Sequence, residues 1–182
     1  YPKNLKSGEV LIDGQPVGVA TKKVVSFLPE RTYLDSGLRV REVIQMFATF
    51  YEDFDCEKAE KLLVDLQLDK NMRLAKMSKG MKEKVQLVMV MSRRAKLYIL
   101  DEPLGGVDPA SRDYILQTIL KNFNADATLL ISTHMIADIE KILDEVVMID
   151  NGAVVLQENA DTLRQKEKAS IDEIFRRKFY VR

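Results

Sequence analysis

Apolar residues change their spacing twice along the chain. From Val40 onward, Val43, Ile44, Phe47, Phe50, Tyr51 and Phe54 recur every three or four positions, the spacing of one face of an α-helix. Ala59, Leu62, Leu63 and Leu66 make a second stripe of the same kind. Ser78 stands where a helix N-cap belongs, ahead of a segment through Arg94 in which Val85, Leu87, Val88, Met89 and Met91 are apolar nearly all round. That pattern predicts a buried helix, and residues 36–94 read as a helical block without a strand inside it.

On either side of the block the apolar runs shorten. Ser7 to Val17 places Asp13-Gly14 between two short apolar stretches, the preferred chemistry of a tight β-hairpin. Lys23 to Leu28 is a compact β-branched run stopped by Pro29, a short buried strand feeding a loop that begins with Glu30. After the block come Leu97 to Leu100, Tyr114 to Phe123, Thr128 to Ser132, Met135 to Leu143 and Val146 to Ile149, short strands alternating with helices. Alternation of that kind predicts an α/β fold on a parallel sheet. Asp108-Pro109 supplies a helix N-cap followed by proline at the first helical position. Asn151-Gly152 joins Val146 to Ile149 to Val154 to Leu156 as another hairpin, and the polar tail from Ala160 reads as helical.

Composition narrows the setting more than the chemistry. A chain of 182 residues is long enough for a single domain with a real core. Its 28 basic and 28 acidic side chains balance, so no global field argues for nucleic acid or an anionic membrane surface. The single cysteine, Cys56, excludes an internal disulfide framework, and no signal-peptide pattern is seen, so a reducing cytosol is the expected setting. Apolar runs such as Leu87 to Met91 fall far short of the ~20 residues that span a bilayer. Any tie to a membrane is then expected to pass through a partner.

The most informative stretch is Leu97 to Pro103, an apolar strand whose C-terminal end delivers two adjacent carboxylates, Asp101 and Glu102. Open parallel sheets bind ligands at that edge. Phosphoryl transfer needs one carboxylate to hold Mg²⁺, often through water, and a second group to orient or deprotonate the attacking water. Asp101 suits the first task and Glu102 the second; an acidic pair that merely ends a strand is the plainer alternative. Leu129 to His134 repeats the device and brings the only histidine of the chain to the same edge. Between them, Leu104 to Pro109 is a turn whose glycines allow close backbone approach. Met77 to Met81 offers the Ser78 hydroxyl, Gly80 and free N–H groups at a helix N-terminus, which suits an anion.

In that order these segments resemble the ATP-binding subunits of ABC transporters, in the exporter-like bacterial branch. Leu97 to Pro103 is similar to their Walker B strand, Leu104 to Pro109 to the D-loop, and His134 to the switch histidine. Met77 to Met81 is similar to the signature motif, Pro29-Glu30 to the Q-loop, and Ser7 to Gly14 to the strand after the first helix of the fold. The resemblance implies catalytic roles for Glu102 and His134, nucleotide contacts for Ser78, Gly80, Glu30 and Asp108, and Mg²⁺ held by Asp101 and Glu30. It implies ATP and Mg²⁺ as cofactors on a RecA-like P-loop NTPase core with an inserted helical subdomain at 36–94. A remnant of an N-terminal antiparallel sheet, a core at 95–159 and a helical tail at 160–182 complete the expected division of 1–182. The implied partners are integral-membrane transporter subunits and a second ATP-binding subunit, with no nucleic acid, at the cytoplasmic face of the membrane.

The sequence departs from the family pattern in three ways. Lys79 and Met81 replace a glycine and the glutamine of the signature, and Glu30 replaces the Q-loop glutamine. The third departure is larger: a Gly-x-x-x-x-Gly-Lys-Ser/Thr phosphate loop occurs nowhere in the sequence. The expectation is that this Walker A segment lies upstream of Tyr1, so that the chain is truncated and inactive by itself. Two rival readings remain open, an ABC ATPase that serves no transporter and a non-catalytic regulatory module.

Overall fold

A computed structural model of the chain describes residues 7–180. Asp13 and Gly14 both adopt left-handed backbone, φ 52° and 70°, and turn strand β1 (Leu11–Ile12) into β2 (Gln15–Pro16) as the Asp-Gly signal predicts. The next element differs from expectation. Val19–Val24 form a helix, α1, so the strand read from Lys23 begins at Val25 instead (β3, Val25–Leu28). Lys23 and Val24 are the last residues of that helix, whose entry is closed by the Thr21 hydroxyl accepting from Gly18 N–H at 2.9 Å.

The helical block contains α2 (Val40–Phe50), α3 (Cys56–Asp65), a 3₁₀ turn at Leu74–Lys76 and α4 (Lys79–Met91). Ser78 and Asp55 cap α4 and α3 by accepting from Met81 N–H and Lys58 N–H. The first stripe overran its helix: α2 stops at Phe50, because Tyr51 turns extended, and Phe54 lies beyond it. Likewise α4 ends at Met91 rather than Arg94. Within 36–94 only isolated bridges occur, Arg39 with Arg73 and Phe54 with Arg93.

Beyond the block, β4 (Leu97–Asp101), α5 (Pro109–Asn122) and β5 (Thr128–Ser132) follow. A short helix, α6 (Ile136–Ile139), continues as a 3₁₀ turn at Glu140–Ile142. The sheet is parallel in the order β3-β4-β5. Val146 to Ile149, read as part of the same alternation, does not join it. That segment is β6 (Glu145–Asp150), which pairs antiparallel with β7 (Ala153–Asn159) through the Asn151-Gly152 turn as a separate sheet. The tail is two helices, α7 (Ala160–Glu167) and α8 (Ile171–Phe179).

One apolar core joins the faces of α2, α3, α4 and α5 to the parallel sheet, with Tyr98 and Leu100 of β4 fully buried at its centre. A second, smaller core lies between β6, α7 and α8. Arg93, 3 % exposed, braces the block against β3. Its guanidinium pairs with Asp53 at 3.0 Å, donates to the Lys23 and Val25 carbonyls, and lies over the Tyr51 ring at 3.9 Å. Because β3 runs straight into the Glu30 loop, this buried cation positions one wall of the site.

Candidate functional site

The C-terminal ends of β3, β4 and β5 open into a cleft of about 700 Å³ whose opposite wall is the first half of α4. Register explains why the acidic pair arrives here. Asp101 lies opposite Ser132 in the β4–β5 ladder, and Glu102 N–H extends that ladder by donating to the Ser132 carbonyl at 2.9 Å. The Ser132 hydroxyl donates to Asp101 Oδ1 at 2.5 Å.

Glu102 then turns sharply. Its φ of 47° is left-handed, a conformation that side-chain-bearing residues rarely adopt and that is costly outside glycine. The turn sends its carboxylate toward the end of β5, where the Thr133 hydroxyl donates to Oε2 at 3.1 Å and His134 N–H donates to Oε1 at 3.1 Å. His134 Nδ1 is 2.9 Å from the same Oε1. An ionised carboxylate only accepts, so in this contact Nδ1 carries the proton and Nε2 is left for a ligand. Thr133 is held in turn by Met135 N–H, which donates to its Oγ1 at 3.0 Å.

Four of the residues selected from sequence, Glu30, Asp101, Glu102 and His134, line this cleft together. The others do not. Ser78 and Gly80 sit at the N-terminal end of α4, outside the lining, and Asp108 faces its own helix, accepting from Ser111 N–H at 3.1 Å. The Ser111 hydroxyl and backbone N–H hold the Asp108 carboxyl below its ordinary range.

Sequence reading missed two residues on the facing helix. Glu83 and Gln86 both line the cleft, and the Gln86 amide donates to the Pro29 carbonyl at 3.1 Å, tying α4 to the loop that carries Glu30. The signal was present in Gln86, a polar residue inside the apolar run Val85 to Met91. Along the first apolar stripe, Phe47 is buried, Tyr51 is half-buried, and Phe50 is 75 % exposed.

The lining suits a hard cation with oxygen ligands. Asp101 and Glu30 supply carboxylates, and among the described residues no three His, Cys, Asp or Glu side chains converge as a closed cage. One or two carboxylates, with water and phosphate oxygens completing the shell, is the pattern of Mg²⁺ sites rather than of an all-protein cage.

The sequence pattern of the ABC transporter family matches residues 2–105, more than half of the chain, and the chain belongs to that family. Two similar curated proteins come from Bacillus subtilis. The ABC-type transporter ATP-binding protein EcsA is 29 % identical over 159 residues, covering 82 % of this chain and 64 % of its own length. The SkfA peptide export ATP-binding protein SkfE is 29 % identical over 154 residues, covering 81 % of this chain and 64 % of its own. The chain thus spans a little under two thirds of either relative. A solved ATP-binding subunit of an ABC transporter superposes with a TM-score of 0.82 at 28 % identity, covering 93 % of this chain and 75 % of that one. The α/β architecture, a parallel sheet with a helical block on one side, is therefore that of ABC ATP-binding subunits.

Proposed function

We propose that this chain carries the hydrolytic half of an ATP site and powers transport through membrane subunits to which it binds peripherally. The observation that carries the reading is the convergence of Glu102, Thr133 and His134 at the edge of β4 and β5, with Asp101 beside them and Glu30 in the same cleft. In this reading Glu102 accepts the proton of the attacking water, and Thr133 and His134 hold its carboxylate in place. His134 Nε2 meets the terminal phosphate. Asp101 and Glu30 would hold Mg²⁺, which when bound neutralises charge on the phosphate oxygens.

Ser78 and Gly80 are outside the cleft lining, at a capped helix N-terminus. Their N–H groups suit the phosphates of a second subunit, and this supports pairing of two ATP-binding subunits. Asp108 is assigned to shaping the turn into α5, beside the nucleotide rather than on it. No helix among the described residues is long and apolar enough to cross a membrane, so substrate movement would fall to partner subunits. The export named for SkfE favours an exporter-like role.

The deciding experiment is Glu102→Gln in the natural protein. The amide keeps the shape of the carboxylate and loses its basicity, so ATP binding should persist while turnover falls at least ~100-fold. Phosphate release within about tenfold of wild type would remove Glu102 from the role and the reading with it.

A further inference from the structure

Two oxygens buried beside the cleft lack a donor. Glu83 Oε2 and Gln86 Oε1 have no hydrogen-bond partner, and Gln86 is 2 % exposed. Three residues apart on α4, they share a helix face. An acceptor buried without a donor bears its full desolvation penalty, most heavily when charged, so this arrangement is incomplete.

Nearby cations on α4 do not complete it. Lys79 Nζ approaches only the other Glu83 oxygen, at 3.7 Å, from a side chain 84 % exposed. Lys82, four residues before Gln86 and also in the cleft, and Lys84 leave both oxygens without a hydrogen bond. Arg31, across the cleft, is exposed and lines it as well. Among the described residues it makes no hydrogen bond or ion pair. The bond from Gln86 Nε2 to the Pro29 carbonyl anchors the loop two residues before Arg31. Two residues of chain span at most about 7 Å, within the range of an arginine side chain. A guanidinium presents donors in a planar fork, which fits a carboxylate oxygen and an amide oxygen side by side.

We propose that Arg31 turns into the cleft and bridges Glu83 Oε2 and Gln86 Oε1, a latch that draws the Glu30 loop onto α4 and fixes Glu30 in the ATP site. Arg31 and Glu83 are thus positioning residues for the hydrolysis proposed above, on which this inference rests. Gly106 preserves the niche on its other side. A Cβ there would lie 2.0 Å from Glu83 Oε2, so any larger residue displaces the carboxylate.

The test is a double-mutant cycle on ATP turnover in the natural protein, with Arg31→Met, Glu83→Gln and the pair combined. Each single change should lower kcat about tenfold with KM for ATP nearly constant, and the double variant should be no slower than the slower single. Arg31→Lys, which keeps the charge and loses the fork, should recover part of the rate. Multiplicative losses in the double variant or unchanged kcat in both singles would overturn the latch while leaving hydrolysis by Glu102 intact. A natural protein that neither binds nor hydrolyses ATP would overturn both.

Discussion

At the scale of single residues, the site depends on one strained backbone position and one exposed imidazole. Glu102 bears the left-handed turn, and the donors that reward it, Thr133 Oγ1, His134 N–H and His134 Nδ1, all come from the residues just after β5. His134 has a side chain 70 % exposed, so it contributes little to the core. Replacing it should therefore separate chemistry from stability. His134→Ala is expected to lower ATP turnover about a hundredfold, the scale of losing one donor to transition-state charge. Nucleotide affinity should stay near wild type, and stability, read as the thermal midpoint, should fall only by the scale of one lost hydrogen bond, about 1 kcal/mol. If the midpoint and affinity fell together while the folded fraction turned over normally, His134 would be a structural residue.

Among the elements, the helix starts carry the clearest local chemistry. Asp108 precedes Pro109 at the head of α5, and the carboxylate that accepts from Ser111 has a pKa below its ordinary value. A carboxyl whose folded pKa is depressed stabilises the fold above its unfolded pKa of about 3.9 and loses that contribution as the pH falls through the folded value. Asp108→Asn retains an oxygen that can cap the helix and cannot ionise. The urea midpoint of wild type should therefore drop more than that of Asp108→Asn between neutral pH and pH 3. Parallel curves would mean that the cap interaction does not depend on the charge. The same comparison bears on function, because a residue that only caps α5 should leave ATP affinity untouched when made Asn.

For the whole molecule, the two cores are the main division. The larger one fuses the helical block to the parallel sheet, whereas Val146, Met148, Leu163, Ile171 and Ile174 pack as a separate cluster. Leu143 touches both. Leu163 is 1 % exposed, so Leu163→Ala should cost about 2–5 kcal/mol in lost burial and cavity. If the smaller cluster opens as its own cooperative unit, amide exchange in residues 145–180 should accelerate while α4 keeps its protection. Uniform acceleration across the chain would show that the two cores unfold together. Turnover by the remaining folded protein should be unchanged, since none of the cleft residues lies in β6, β7, α7 or α8.

Local chemistry made much of this legible from the chain alone. Asp13-Gly14, Asn151-Gly152, Ser78, Asp108-Pro109 and the stripes of α2 and α3 act over a few residues, so composition and spacing suffice to place their turns, caps and buried faces. The ends of β4 and β5 were legible for the same reason, because an apolar run that stops in Asp101-Glu102 or at His134 states which end of the strand is polar. Tertiary structure decided the remainder. Where α1 yields to β3 is bound up with the buried Arg93, which donates to the Lys23 and Val25 carbonyls, and whether β6 also joins the parallel sheet depends on long-range pairing that a short apolar run does not encode. Arg93 and Glu83 looked like ordinary members of a helix, and Gln86 stood out only as a polar residue in an apolar run. Only the fold brings Arg93 against Lys23 and Val25, and sets Glu83 and Gln86 across the cleft from Arg31, because a side chain's partner is fixed by distances between segments that lie far apart along the chain.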